Sequence, residues 1–289
     1  MEFNDAKSKL LDRVVLEYIN SLPDGTSKAL LSYNLPLQQS WRAILKPMFI
    51  SPTWRTLDIG SGHGLFALEL AGQLPIKIKG VDIDEGYVAS ANELKARLER
   101  VGFFPPGAEV TFEVGDVNEL KFLDSSFDFV IMREIFQYLP EPNKAVGELF
   151  RVCSKGAYLF AEDIDDGLYI TWPPPHRSMQ KLYDAIGDLQ RSFDGDRNSG
   201  RKMSSYMRKA GFSINSASLI SEAHHLDSNQ VNYERGSIIM QLKAAKSRLV
   251  EVGAITEAEF DLALDDYQRA DLGEQFRMAA RVLVVAQKR

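Results

Sequence analysis

The stretch that most constrains this chain is Thr56-Leu57-Asp58-Ile59-Gly60-Ser61-Gly62-His63-Gly64. A short apolar strand runs into three glycines at alternate positions, and a helical pattern of Leu65, Phe66, Leu68 and Leu70 follows at once. Strand, glycine turn and helix N-terminus together make a place where backbone rather than side chain meets a ligand. The spacing narrows the ligand. A dinucleotide fingerprint needs its third glycine one position later, where this chain has Leu65, so a pyrophosphate under the turn is disfavoured. The next strand, Ile76 to Asp82, ends on an acid placed to accept hydrogen bonds from two vicinal ribose hydroxyls.

Strands and helices alternate from there on. A helical pattern over residues 84 to 101 carries Val88, Leu94, Leu98 and Val101, and Pro105-Pro106-Gly107 closes it as a loop. Val110 to Val114, Phe127 to Met132 and Ala157 to Ala161 read as a third, fourth and fifth strand, with a helix from Pro142 to Cys153 before the last. Phe212 to Ile220 alternates as a sixth, and Val282 to Ala286 is a β-branched run that suits a seventh. The pattern predicts an α/β fold: a Rossmann-like seven-stranded mostly parallel sheet with helices on both faces, plus helical lid insertions.

Outside the sheet, residues 4 to 20 place Leu10, Leu11, Val14, Val15, Tyr18 and Ile19 on one helical face. A second segment, Lys28 to Phe49, carries Tyr33, Leu37, Trp41, Ile44, Leu45, Met48 and Phe49. After the fifth strand come Trp172-Pro173-Pro174-Pro175, a stiff extended stretch, and a helical run from Met179 to Leu189. Residues 221 to 278 read as helical, with a capping box at Thr256 to Glu259 and a hydrophobic staple of Ile255 with Phe260. The expected organisation is an N-terminal helical lid over 1–50, a ligand-binding α/β core over 51–166, a lid insertion over 167–200, and the rest of the core over 201–289 with a helical insertion at 221–278.

Composition enters as exclusion. A formal net charge of −6 in 289 residues gives no overall attraction to phosphate backbones, so nucleic acid is not the expected partner. Cys153 is the sole cysteine, which excludes an intrachain disulfide and argues against a cysteine-based metal site. No apolar run is long enough to span a bilayer, and Met1 to Asp5 lacks the layout of a signal peptide, so a cytoplasmic location is expected.

Taken in order, Leu57 to Gly64, Gly80-Val81-Asp82-Ile83-Asp84 and Gly115-Asp116-Val117 resemble successive motifs of the class I S-adenosylmethionine-dependent methyltransferases of small-molecule type. Ser126 to Val130 and Arg133 to Leu139 are similar to that family's fourth strand and the segment after it. The likeness spans roughly residues 53 to 163; His63 departs from it, standing where many members have a small or hydroxyl residue. It implies S-adenosyl-L-methionine as cofactor. By that resemblance Gly60, Ser61 and Gly62 approach the methionine part through backbone, Asp82 holds the ribose, and Ile83 packs on the adenine. Asp116 accepts the adenine amino group, Val117 offers a backbone N–H, and Arg133 lines the methionine end through its carbonyl. Asp58 shapes the loop or meets the amino group through water.

Methyl transfer from a sulfonium is an in-line displacement, so positioning and exclusion of water carry much of it. An oxygen or nitrogen acceptor can also need a base, for which the candidates are His176, His224, His225 and Asp163. The sequence does not choose among them. Tyr33, Trp41, Phe136, Tyr169, Trp172, Tyr183, Tyr206 and Tyr233 are aromatic residues in segments that could cover the cofactor, a lining suited to a small apolar or aromatic acceptor. Arg177, Arg191, Arg197, Arg201 and Lys202 would instead suit an anion or simply form a solvated face. The expected function is methyl transfer to a small molecule in specialised metabolism; a non-catalytic cofactor-binding or scaffold protein, an NAD-dependent oxidoreductase and a protein or RNA methyltransferase are the alternatives.

Overall fold

The computed structural model describes residues 4–45 and 50–289. Met48 and Phe49, expected at the end of the second helix, and the side chains of Tyr33, Leu37, Ile44, Leu45 and Tyr233 lie outside what it describes. Seven strands form one sheet: β1 (Arg55–Ile59), β2 (Lys77–Asp82), β3 (Glu109–Val114), β4 (Phe127–Arg133), β5 (Cys153–Trp172), β6 (Ser213–Leu226) and β7 (Gln275–Gln287). Their order is β3-β2-β1-β4-β5-β7-β6, parallel except for β7, which runs antiparallel to both neighbours. The order reverses beside β1, and in such sheets the crevice at the strand C-termini there is where ligands sit.

Alternation along the strands sends side chains to two cores. Phe129, Ile131 and Phe160 pack with α3 (Leu65–Gln73), α4 (Glu85–Arg100) and α1 (Asp5–Ser21) on one face. Leu57, Ile59, Val130 and Met132 pack with α5 (Pro142–Val152) and α7 (Met203–Ala210) on the other. In α1, Leu11, Val14, Val15, Tyr18 and Ile19 repeat at helical spacing and are buried, and the Asn4 side chain caps the helix by accepting from the Ala6 and Lys7 N–H groups. The Arg42 guanidinium of α2 (Thr26–Leu45) bridges Asp12 of α1 and Glu69 of α3, so both N-terminal helices are tied to the core.

The third core is separate. Met179, Leu182 and Ala185 of α6 (Arg177–Arg191), Leu242 and Leu249 of α8 (Ser228–Glu251), and Phe260, Ala263, Leu264 and Tyr267 of α9 (Glu257–Arg269) bury one another. The expected capping box at Thr256 and Glu259 forms, and Ile255 and Phe260 are buried in the same cluster. A second box, Asp227 with Gln230, opens α8. α2 packs against α8, which links the N-terminal helices to this layer.

Two expectations need correction. Residues 221–226 are not helical but continue β6, and residues 275–278 begin β7, so the helical insertion is bounded by Ser228 and Arg269. Ser221 to Leu226 is polar and has no apolar alternation; its strand conformation comes from pairing with β7, with Glu222 opposite Ala279 and His224 opposite Arg277. Likewise β5 does not stop near Asp163. After a bulge between Ile164 and Tyr169 it pairs again with β7 as far as Trp172, so the first residues assigned to the 167–200 insertion belong to the sheet.

Candidate active site

The glycine loop leaves β1 in a conformation only glycine adopts freely. Gly60, Gly62 and Gly64 have φ of 66°, 52° and 75°. A Cβ on Gly60 would stand 2.0 Å from Ile135 Cδ1, and one on Gly64 would stand 2.5 Å from Phe112 Cζ. At Gly62 nothing lies within 4 Å, so there the requirement is the backbone angle alone. The N–H groups of Gly60 and Ser61 both donate to Val81 O, at 2.8 and 3.1 Å, and lock the loop to the end of β2.

Asp82 closes this corner. Its Oδ2 accepts from Gly62 N–H at 2.7 Å and its Oδ1 from Asp84 N–H at 2.9 Å, and the residue is buried. Burial pushes the Asp82 carboxyl above its ordinary value, against the backbone donors that pull it down. A carboxylate accepts about four hydrogen bonds, so acceptor capacity remains for a ligand hydroxyl. Beside it Ile83 is 72 % exposed and Val114 53 % exposed, an apolar pair open at the ends of β2 and β3. Asp116 is exposed, and its Oδ1 accepts from the Asn118 backbone and side-chain nitrogens at 2.8 and 3.0 Å. Val117 is buried just behind it. The acid, apolar and acid groups thus lie along the C-terminal edge, an acceptor set with an apolar wall that fits ribose and adenine.

The methionine end is differently built. Arg133 and Glu162 are neighbours in the β4–β5 register, and Arg133 Nε donates to Glu162 Oε2 at 2.6 Å. The guanidinium lies between the Trp41 and Phe66 rings, 4.3 and 4.5 Å from their centroids, and its Nη2 is buried without a hydrogen-bond partner. Asp58, on the same face of the sheet, is buried with Oδ2 likewise unpartnered; burial pushes its carboxyl up to about 7, opposed by Arg133 and reinforced by Asp82. One unmet N–H-bearing nitrogen of a guanidinium and one unmet carboxylate oxygen on the same face fit the two charges of an amino-acid end.

The base candidates lie in separate surroundings. Asp163 is fully buried, its oxygens engaged by the Gln137 and Ile164 N–H groups at 3.2 and 2.7 Å, and burial pushes it to about 7. His176 caps α6 through Nδ1 and faces a cavity of about 30 Å³ lined also by Tyr169, Tyr183, Tyr267 and Arg277. His224 and His225 are exposed on β6, 3.5 Å from Glu222 and Glu274 respectively. His63 is buried against Tyr87, with centroids 4.6 Å apart, and burial lowers it to about 4, so its ring is neutral at physiological pH.

Of the aromatic residues expected to line the acceptor side, Trp41 covers Arg133, Phe136 stacks on Tyr206, Tyr169 and Tyr183 line the cavity, and Trp172 is 71 % exposed. Arg177, Arg191, Arg197, Arg201 and Lys202 each pair with a carboxylate, in order Asp266, Asp188, Asp166, Asp165 and Asp196. Phe112 under the glycine loop, Ile135 against Gly60 and Glu162 beside Arg133 were not anticipated, because each contact is made across strands. Among the described residues no group of three or more His, Cys, Asp or Glu side chains is arranged to hold a metal ion, and no helix is long and apolar enough to cross a membrane.

With this geometry in view, a family profile described as a methyltransferase domain matches residues 57–161. Ajmaline N-methyltransferase of Rauvolfia serpentina is 32% identical over 103 residues, 35% of this chain and 33% of that protein. The ubiquinone/menaquinone biosynthesis C-methyltransferase UbiE of Geobacter sulfurreducens is 30% identical over 130 residues, 44% of this chain and 48% of that one. These matches therefore span less than half the length of either relative. Among solved structures, the [4+2]-cyclase SpnF superposes with a TM-score of 0.54 at 19% identity, over 87% of this chain and 80% of that one. That likeness concerns the fold alone.

Proposed function

We propose, from the match of residues 57–161 to a methyltransferase domain and from the motif resemblance, that this chain is a class I methyltransferase that transfers a methyl group from S-adenosyl-L-methionine to a small-molecule acceptor. The acceptor atom is oxygen, nitrogen or carbon, the setting is specialised metabolism, and the location is cytoplasmic. The observation that carries the reading is the Asp82 carboxylate anchored on the Gly62 and Asp84 N–H groups beside the exposed Ile83.

The cofactor, when bound, supplies a methyl group already activated by its sulfonium. The chain's own residues do the rest by placement. Asp82 holds the ribose, Ile83 and Val117 flank the adenine, and Asp116 meets its amino group. The backbone of Gly60 to Gly62 approaches the methionine part, with Asp58 and Arg133 at its charged end. The layer of α6, α8 and α9 stands beside Tyr169 and Thr171 of β5 and Arg277 of β7 and serves as the lid that excludes water. The relatives' names, N-methyltransferase and C-methyltransferase, support transfer to small molecules without choosing the atom.

A labelled-methyl assay against metabolite extract, with the product identified by mass spectrometry, tests this. Transfer to a small molecule is the expected result. A thermal shift with S-adenosylmethionine but no transfer to any acceptor would favour a cofactor-binding protein without catalysis, and no shift at all would remove the reading.

A further inference from the structure

Beyond Arg133, the same face of the sheet holds a cluster of charges to which the cofactor reading gives no role. Glu162 of β5, Arg281 of β7 and Glu222 of β6 share one face of the sheet, since Ile164 and Ile220 both lie opposite Arg281 and each acid is two residues from its strand's partner. Glu134, immediately after β4, joins them. Arg281 Nε donates to Glu134 Oε1 at 2.8 Å and lies 3.7 Å from Glu162 Oε1, while its Nη1 is 3.8 Å from Glu222 Oε1. Arg133 binds the other oxygen of Glu162. Three carboxylates thus face two guanidiniums. Glu162 is completely buried, yet its Oε1, turned toward Arg281, has no hydrogen-bond partner. Glu222 Oε1 is buried and unpartnered as well. Surplus negative charge with desolvated, unmet acceptors is an unfavourable arrangement unless a cationic donor completes it.

The cluster is not remote from the cofactor corner. Ile135, next to Glu134, is the side chain resting on Gly60. Glu134 has φ of 55°, a strained angle for a residue with a Cβ, and its N–H donates to Glu162 O at 2.8 Å. The Glu134 and Glu222 side chains are about a quarter exposed, 27% and 23%, so the cluster opens outward at these two residues while Glu162 forms its floor.

We propose that Glu134, Glu162 and Glu222 form the recognition site for a basic nitrogen of the methyl acceptor, and that the acceptor is an amine. This rests on the methyltransferase reading above. The amine binds as its ammonium ion, which first gives one proton to solvent; the freed nitrogen lone pair then forms the new N–C bond, the S–C bond breaks with its electron pair remaining on sulfur, and positive charge passes from sulfur to nitrogen. A primary or secondary amine then releases one proton to solvent. Negative charge fixed on the acceptor side favours the arriving charge, and so the transition state over the bound reactants. A phenolate or carboxylate acceptor would meet the same carboxylates as repulsion.

The test is a titration of the full chain, saturated with S-adenosylhomocysteine, against phenethylamine, N,N-dimethylphenethylamine, phenethyl alcohol and phenylacetate. The amines are expected to bind about tenfold or more tighter than the alcohol, with phenylacetate weakest. Glu222→Gln and Glu134→Gln are each expected to remove most of that preference while leaving S-adenosylhomocysteine affinity and the melting temperature near those of the parent. Equal binding of amine and alcohol, no binding of any probe, or an unchanged preference in both variants overturns the proposal. So does a change confined to the ratio of S-adenosylmethionine to S-adenosylhomocysteine affinity, which would assign the cluster to the sulfonium. Failure of S-adenosylhomocysteine itself to bind refutes the underlying methyltransferase reading, a result distinct from all of these.

Discussion

Asp82 Oδ2 accepts the Gly62 N–H at 2.7 Å, so the acid at the end of β2 holds the glycine loop that follows its neighbour β1. One side chain thereby shapes the loop and presents its remaining lone pairs to the crevice. Replacing it by alanine removes both functions. Asp82→Ala is expected to weaken S-adenosylmethionine binding about tenfold to a hundredfold, the range for one or two charge-assisted hydrogen bonds. Calorimetry checks this, with circular dichroism to establish that the fold persists. Unchanged affinity would remove Asp82 from the site.

Gly60 and Gly62 separate two requirements that sequence alone merges. Gly62→Ala meets open space and is expected to lose about 1–2 kcal/mol through left-handed backbone strain. Gly60→Ala meets Ile135 as well and is expected to lose about 2–5 kcal/mol, strain and overpacking together. The double variant Gly60→Ala with Ile135→Ala should recover part of that loss relative to the sum of the single changes. Denaturant unfolding of the four proteins measures it, and simple additivity would show that the contact does not matter.

Asp58 gives a pH signature. Its carboxyl is raised to about 7 in the fold, chiefly by burial, from an ordinary value of 3.8. Below the ordinary value it is protonated folded and unfolded, and burial of the charge costs nothing. Between 3.8 and about 7 the unfolded chain loses the proton first, so stability falls as pH rises and levels off above 7. Asp58→Asn does not titrate. The variant's melting temperature relative to the parent is therefore expected to rise from pH 5 to pH 8, by the equivalent of roughly 2–3 kcal/mol. A pH-independent difference would mean the group is ionised in the fold throughout.

The layer of α6, α8 and α9 has its own core, so it can be loosened without touching the cofactor corner. Phe260→Ala removes a fully buried ring from that core and is expected to cost the layer about 3–5 kcal/mol. If the layer is the lid, turnover falls much further than S-adenosylmethionine affinity. Equal loss of both would refute the lid role.

Local signals in the chain mark the corner proposed for the cofactor. The glycine turn, Asp82 and Asp116 each announce themselves by residue type at a strand end, and the structure puts them on one edge of the sheet. What the chain concealed is held across strands. Arg133 beside Glu162 depends on the β4–β5 register, and Arg281 meets Glu134 over a separation of 147 residues. The outer halves of β5 and β6 were hidden for the same reason. Ser221 to Leu226 has the composition of a solvated helix, and pairing with β7 makes it strand; Asp163 to Gly167 has that of a loop, and pairing with β7 at Asp163 and Ile164 and again from Tyr169 carries β5 across it. His63 read as one more loop residue until its burial against Tyr87 made it part of the packing.

The position of β7 bears on the order in which the molecule is made. It lies between β5 and β6 in the sheet, and among the described residues β6 at the edge pairs with no other strand. Residues 213–226 are synthesised well before residues 275–287, and until these arrive β6 has nothing to pair with. Arg281 comes on the same late strand. A nascent chain can therefore close the corner around Asp82 early, while the acidic cluster stays without its central guanidinium until synthesis reaches β7. Pulse-labelled hydrogen exchange during refolding should find β6 amides protected no earlier than those of β7, and the corner at β1 and β2 protected before either.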